Sequence, residues 1–351
     1  MSLRNLTIGM GRTYFIADIA ANHDGSLDRA LQLIELAADA GADAAKFQNF
    51  RAETIVSSKG FQELGKKLTH QASWEKDVVE VYRDASIPLE WTDLLHEKCQ
   101  HHKIDYFTSP YDLDYISYFS NKIPYFKIGS GDITWQEAIE KIASYGKPVL
   151  LATGASTEAE VRNAMHILEK SNCEIVLMQC NTNYTASIDN FRFLNLNVLE
   201  SFANEYPNAI LGLSDHTEGA VAVLGAVAKG ARVIEKHFTD DKTRKGPDHG
   251  FSMNPMDWRQ MVSDVRKLEL ALGTGVKIVE ENEIDARIVQ RRALRYRQGI
   301  GAGHIILSED LIALRPCPAD GINPFETSSI IGRALTRSVN ADDLVRHSDF
   351  A

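Results

Sequence analysis

From residue 14 to about residue 270 the chain alternates two textures. Short, nearly continuous apolar runs read as strands, and longer stretches with apolar residues every three or four positions read as helices. The strand candidates are YFIADIAAN (14–22), ADAAKFQ (around 43–49), DYFTSPY (105–111), YFKIGSG (125–131), PVLLATG (148–154), IVLMQCN (175–181), AILGLSDH (209–216) and RVIEKHF (232–238). The helix candidates span 27–40, 89–102, 135–145, 157–170, 194–206, 219–229 and 256–271. Strands apolar on both faces belong in a parallel sheet covered by helices. Eight such units predict an α/β fold, a (β/α)₈ TIM barrel over residues 1–272. A doubly wound open sheet is the competing arrangement, but no G-x-G-x-x-G follows the first run. The stretch 273–290 reads as an exposed, charged linker, and 291–351 as a small β-rich domain of short strands and turns.

Composition narrows the setting. The 351 residues carry a net charge of −10. Such a surface excludes nucleic acid and anionic membrane as natural partners, yet a few lysines in a closed pocket can still hold an anionic small molecule. Cys99, Cys173, Cys180 and Cys317 show no C-x-x-C spacing, so neither a disulfide framework nor a zinc knuckle is expected. Cys180, within IVLMQC, reads as a small buried hydrophobe rather than a nucleophile. Charge and glycine interrupt the N-terminus by Arg12, which argues against a secretory leader, and the expected compartment is the cytoplasm.

Nearly every strand candidate ends in polar residues, and barrel active sites are built at that rim. His216 and His237 end the seventh and eighth runs. Neighbouring strands lie about 4.8 Å apart, so the two imidazoles could reach one ion at about 2.0–2.3 Å. Water and substrate oxygens would fill its remaining positions, and manganese or zinc suits such donors better than calcium. Unrelated strand-end histidines are the plainer reading. Glu235 shares the parity of His237 and should face the barrel interior; Lys236 should face outward. Lys46 and Lys127 sit in apolar settings, which is costly without an anion, either internal carboxylates or an anionic ligand. Gly129, Ser130 and Gly131 follow Lys127, and with Thr153, Gly154 and Ser214 they offer hydroxyls and close backbone approach. The turn Gly246-Pro247-Asp248-His249 could carry Asp248 over the mouth or leave it solvated.

Together these stretches resemble the sialic acid synthase (nonulosonate synthase) family: IADIAANHDGSLDRA, AAKFQ, FTSPY, FKIGSGD, GKPVLLATGAST, QCNTNY, LGLSDHT, IEKHFTDD and KGPDHGFSMNP. The tail RRALRYRQGIGAGHIILSEDLIALRP…IIGRALTRSV resembles that family's antifreeze-like (SAF) domain. The resemblance implies a barrel plus this domain in a domain-swapped homodimer. It implies condensation of phosphoenolpyruvate with an N-acylated hexosamine-type aldehyde, N-acetylmannosamine or a diacetamido-trideoxyhexose, giving a sialic-acid-like nine-carbon sugar and phosphate. His216 and His237 would ligate a divalent metal, manganese first, with magnesium or cobalt as alternatives. Lys46, Ser109, Lys127, Ser130, Thr182 and Ser214 would hold phosphoenolpyruvate. Gln48, Asp132, Tyr184 and Asp248 would contact the sugar, and Arg315 would reach its N-acyl group from a partner subunit. Asp18 and Glu235 join the histidines as catalytic residues. Asp18 and Asp132 stand where the family carries glutamates, and Ala152 and Thr182 where it carries a serine and an asparagine, departures that touch the choice of sugar. Two other functions are weighed: a Schiff-base pyruvate aldolase using Lys46 or Lys127, and a carbohydrate-binding protein without turnover.

Overall fold

A computed structural model describes residues 11–64, 71, 74, 76–185 and 187–351. The stretch read for a leader lies, as far as residue 10, outside the described residues. The chain divides into two compact units, Met1–Gly273 and Thr274–Ala351.

The first unit is a (β/α)₈ barrel. Its strands are β1 (Tyr14–Asp18), β2 (Ala44–Asn49), β3 (Asp105–Pro110), β4 (Phe126–Ile128), β5 (Val149–Ala152), β6 (Ile175–Cys180), β7 (Ile210–Asp215) and β8 (Val233–His237). All ladders are parallel, and β8 pairs with β1 to close the sheet on that side. The order β3-β2-β1-β8-β7-β6-β5-β4 leaves β3 and β4 side by side at the one seam without a ladder. One helix follows each strand: α1 (Leu27–Asp39), α2 (Thr92–His101), α3 (Leu113–Phe119), α4 (Gln136–Ala143), α5 (Glu158–Lys170), α6 (Val198–Glu205), α7 (Val221–Ala228) and α8 (Pro255–Leu272).

Local chemistry sets the ends of these elements. Ser26 caps α1 through Arg29 N, Thr157 and Glu160 form a reciprocal capping box on α5, and Asn254 caps α8 ahead of Pro255. On α1 the stripe Ala30, Leu33, Ile34 and Ala37 is buried. Each of its larger side chains contributes about 1.5–3 kcal/mol of transfer free energy. Between β7 and β8, Lys236 and Asp215 face outward into the strand–helix layer, where they pair at 2.7 Å. The lysine therefore faces as its parity requires, but it is buried rather than solvated. The opposite end of the barrel is plugged: the Tyr14 hydroxyl lies 2.5 Å from both Asp105 Oδ2 and the Tyr125 hydroxyl. The open end is thus the carboxyl-terminal rim of the strands.

The pattern misjudged some boundaries. β1 ends at Asp18 because Asp18 Oδ1 takes a hydrogen bond from Ala20 N at 3.1 Å and turns the chain, with Ala20 left-handed at φ 44°. Pro88 opens the second helical stretch as a 3₁₀ turn, Leu89–Trp91, before α2. The aromatic LDYISYF gave no helical stripe, yet it forms α3, capped by Asp112 through Tyr115 N. Between β2 and α2 the chain adds short helices, Ala52–Ile55, Ser58–Glu63 and Val78–Ala85, that help roof the barrel mouth.

In the second unit, β9 (Ala293–Tyr296) pairs antiparallel with β10 (Leu311–Leu314) over a separate core that includes Leu294, Tyr296, Ile306, Ile322, Ile330 and Val345. The stretch read as a linker contains a short helix, α9 (Ile284–Gln290), with no buried residue. Among the described residues, no helix is long and apolar enough to cross a membrane.

Candidate active site

Alternation along the strands decides which side chains meet. In β1, β2 and β8 the register places Asp18 beside both Lys46 and His237. In β7 and β8 it places Ser214 beside Glu235. These inward positions line a cavity of about 360 Å³ at the rim.

Its floor is ionic and almost dry. Lys46 Nζ lies 2.5 Å from Asp18 Oδ2 and 3.4 Å from Glu235 Oε1. Lys127 Nζ lies 3.4 Å from the same Glu235 oxygen, and Ser214 Oγ donates to it at 3.1 Å. Glu235 Oε2 is buried without a hydrogen-bond partner. Two ammonium groups and two carboxylates so enclosed strongly perturb one another. Burial opposes the charge on Glu235, but Lys127 and Lys46 outweigh it and hold its carboxyl below the usual range. Burial and then Glu235 push Asp18 up, with Lys46 opposing. Burial likewise opposes Lys46, but Asp18 and Glu235 raise it, while burial and the neighbouring Lys46 lower Lys127 despite Glu235.

Around this floor stand the hydroxyls. Gly154 N donates to Ser130 Oγ at 2.9 Å. A Cβ on Gly154 would fall 1.9 Å from Thr182 Oγ1 and 2.9 Å from Ser130 Oγ, so only glycine admits both hydroxyls here. A Cβ on Gly129 would sit 2.9 Å from the Tyr111 hydroxyl, which closes another wall.

His216 and His237 stand with ring centroids 5.4 Å apart, boxed by Tyr184 and Phe251. His216 Nδ1 lies 3.0 Å from the carbonyl of Asn181. As the donor there, Nδ1 leaves the lone pair on Nε2 for a ligand. His237 Nδ1 is buried with no hydrogen-bond partner, Nε2 is 3.6 Å from Asp18 Oδ2, and burial and then His216 hold this ring well below the usual imidazole pKa. A neutral, under-partnered imidazole beside a second one fits a divalent cation. Among the described residues, no group of three or more His, Cys, Asp or Glu is arranged around a common ion. The side chains here that could hold such a cation are the two imidazoles. Cys180 is buried, with its sulfur 3.8 Å from His216 Nδ1.

Asp248 does come over the mouth. Its Oδ2 accepts from Ala21 N at 3.1 Å and lies 3.9 Å from His237 Nδ1. Burial pushes Asp248 and Asp132 each up to about 6. For Asp132 the folded value then exceeds the ordinary aspartate value near 4. Between the two values the folded state keeps a proton that the unfolded chain has lost, so stability falls as pH rises, by up to about 1.4 kcal/mol per pH unit. Asp132→Asn is expected to match the parent in urea unfolding at about pH 4 and to exceed it by about 1–3 kcal/mol at about pH 7. An equal difference at both pH values would refute the assignment.

The cavity gathers Asp18, Lys46, Gln48, Lys127, Ser130, Asp132, Thr182, Tyr184, Ser214, His216, Glu235, His237 and Asp248, all singled out from sequence. It does not gather Ser109, which is buried in β3 opposite Gln48; Tyr111, two residues on, lines the cavity instead. Arg315 belongs to the second unit, just after β10. Sequence reasoning missed Tyr111, Phe50, Trp74 and Tyr82, which line the same cavity. The aromatic run around SPY and the lone tryptophan of ASWEK were the available signals, but aromatics more often mark core.

Comparison with known proteins follows the same lines. A family model described as "NeuB family" matches residues 33–277. The N,N'-diacetyllegionaminic acid synthase of Campylobacter jejuni is 33% identical over 343 residues, covering 96% of this chain and 100% of that protein. A pseudaminic acid synthase of the same species is 31% identical, covering 97% of each chain. Among solved structures, the N-acetylneuraminic acid synthetase of Leptospira borgpetersenii in complex with citrate superposes with a TM-score of 0.68 at 29% identity, covering 78% of this chain and 90% of that one.

Proposed function

This chain belongs to the NeuB family, and from that premise we propose that it condenses phosphoenolpyruvate with an N-acylated hexosamine-type aldehyde, giving a nonulosonic acid and inorganic phosphate. One observation carries the reading: paired imidazoles, two lysines and two carboxylates converge with serine and threonine hydroxyls in one rim cavity.

Lys46 and Lys127 receive the carboxylate and phosphate of phosphoenolpyruvate, with Ser130, Thr182 and Ser214 donating around them. Buried cations bind such an anion strongly because little solvent screens them. Tyr184, Gln48, Asp132 and Asp248 orient the aldehyde sugar. The imidazole pair would hold a divalent cation, manganese first, with magnesium or cobalt as alternatives, which when bound supplies Lewis acidity toward an aldehyde oxygen. The methylene carbon of phosphoenolpyruvate attacks the aldehyde carbon, and water adds to the cationic carbon left behind. Asp18 Oδ2, its pKa raised by burial, takes the proton of that water, and the alkoxide formed from the aldehyde takes up one proton in exchange. Glu235 Oε2, buried without a partner, steadies the resulting hydroxyl. Carbon–oxygen cleavage then expels phosphate toward the lysines.

In the same reading, the second unit is the antifreeze-like domain of a cytoplasmic, domain-swapped homodimer, where the partner subunit's Arg315 meets the sugar's N-acyl group. Its guanidinium has the planar donors for an amide oxygen.

Phosphate release should require phosphoenolpyruvate, a hexosamine-type aldehyde and a divalent ion together, and should stop on chelation. The lowered ammonium of Lys127 favours a second reading, Schiff-base chemistry with pyruvate. Borohydride trapping of pyruvate on the protein, with turnover that survives chelator, would establish that reading instead.

A further inference from the structure

Asp248 reaches the cavity on the loop between β8 and α8, which makes a 3₁₀ turn at His249–Phe251. Side chains of the β1–α1 loop and of α1 tie that loop down. His249 is fully buried, with Nε2 2.9 Å from Asp24 Oδ1 and Nδ1 2.7 Å from Thr239 Oγ1. A carboxylate only accepts, so Nε2 is the donor. Gly246 makes room for this ring, since a Cβ there would fall 2.6 Å from His249 Cδ2. Arg244 donates from Nε to Asp24 Oδ2 at 2.9 Å. Arg29 sets its Nε 3.1 Å from the same oxygen and grips Asp240 with both terminal nitrogens. A second tie runs through buried Asn22, whose Nδ2 donates to Ser252 Oγ at 2.9 Å; Ser252 Oγ donates to the Asp248 carbonyl at 2.6 Å.

Asp24 is thus the point where one loop grips the other. Resting on the proposed function, we infer that Asp24 is a positioning residue for the reaction: through His249 and Arg244 it fixes the carboxylate of Asp248 over the mouth. Neither Asp24 nor His249 lines the cavity, so neither touches a substrate there. Asp24 N donates to the carbonyl of Ala21, and Ala21 N donates to Asp248 Oδ2, so one turn carries both anchors. The Asp24 side chain is 23% exposed, and ion pairs open to water add little to global stability. What this network chiefly sets is therefore geometry.

The test is steady-state phosphate release by the full-length chain with phosphoenolpyruvate and manganese. The sugar is N-acetylmannosamine or a diacetamido-trideoxyhexose, whichever turns over. Asp24→Gly removes the acceptor and suits the left-handed backbone at φ 51°. It is expected to lower kcat/KM for the sugar by about 10–100-fold, the scale of a displacement of about 1 Å, with KM for phosphoenolpyruvate within about twofold. Asp24→Asn keeps an oxygen for His249 and should recover most of the loss. In an Asp248→Ala background, Asp24→Gly should cost no more than about twofold further, because groups that act as a unit are not additive. Should Asp24→Gly fail to fold, Arg244→Ala repeats the cycle from the exposed side with a loss of about threefold to tenfold. A full further loss in the Asp248→Ala background overturns the inference and leaves the condensation standing. So do unchanged sugar kinetics in Asp24→Gly or in Asp248→Ala, and so does an equal rise in KM for phosphoenolpyruvate. Silence of the parent chain with both sugars overturns the condensation itself, and the inference with it.

Discussion

Glu235→Gln is expected to lower kcat by about 10²–10³-fold, the range for loss of one group positioned against charge that develops in the transition state. Glu235 Oε1 is where Lys46, Lys127 and Ser214 meet, and its second oxygen is bare and buried. Glutamine keeps the shape and removes the charge. The two lysines would then share Asp18 alone, and unpairing a buried charge costs about 3–5 kcal/mol of stability. KM for phosphoenolpyruvate should stay level or fall, because the substrate's anions no longer compete with an internal one. The same logic makes phosphoenolpyruvate restore much of the lost stability by binding the folded state. Steady-state phosphate release and thermal unfolding with and without phosphoenolpyruvate check both halves. A variant within threefold of the parent kcat would remove Glu235 from the chemistry.

The second large effect belongs to the imidazoles. His216→Ala and His237→Ala should each lose on the order of a thousandfold in phosphate release, about 4 kcal/mol of transition-state stabilisation. Their rings lie 5.4 Å apart and touch the same two aromatics, Tyr184 and Phe251. If they act on one cation, the double variant should be scarcely worse than either single one, since groups that act as a unit are not additive. Phosphoenolpyruvate binding by calorimetry should survive in all three, because the lysines hold it. Losses that multiply in the double variant would mean the two histidines work separately.

The pH behaviour of Asp132 and the three-component requirement for phosphate release test other parts of the same cavity. They separate cleanly: one reads burial and the other the reaction.

How much of this was legible beforehand differs by element. Strand positions and inward parity could be read because alternation is local: Glu235 and His237 face one way and Lys236 the other by geometry of the strand. The barrel follows from eight apolar runs, each followed by a helix. The end of β1 was misplaced because the turn is made by a side-chain bond from Asp18, which no apolar pattern records. Ser109 was expected to face the substrate and does not line the cavity.

By itself, the sequence determined the barrel, the rim, and the identity of nearly every charged group on it, because period and polarity are properties of neighbouring residues. Only the tertiary structure decided which of those groups share a partner. Glu235 between two lysines, the orphaned nitrogen of His237 and the adjoining rings of Trp74, Tyr82, Phe50 and Tyr111 join strands and insertions far apart in the chain. Such meetings depend on how the sheet closes and where an insertion folds back, and long-range packing alone fixes both.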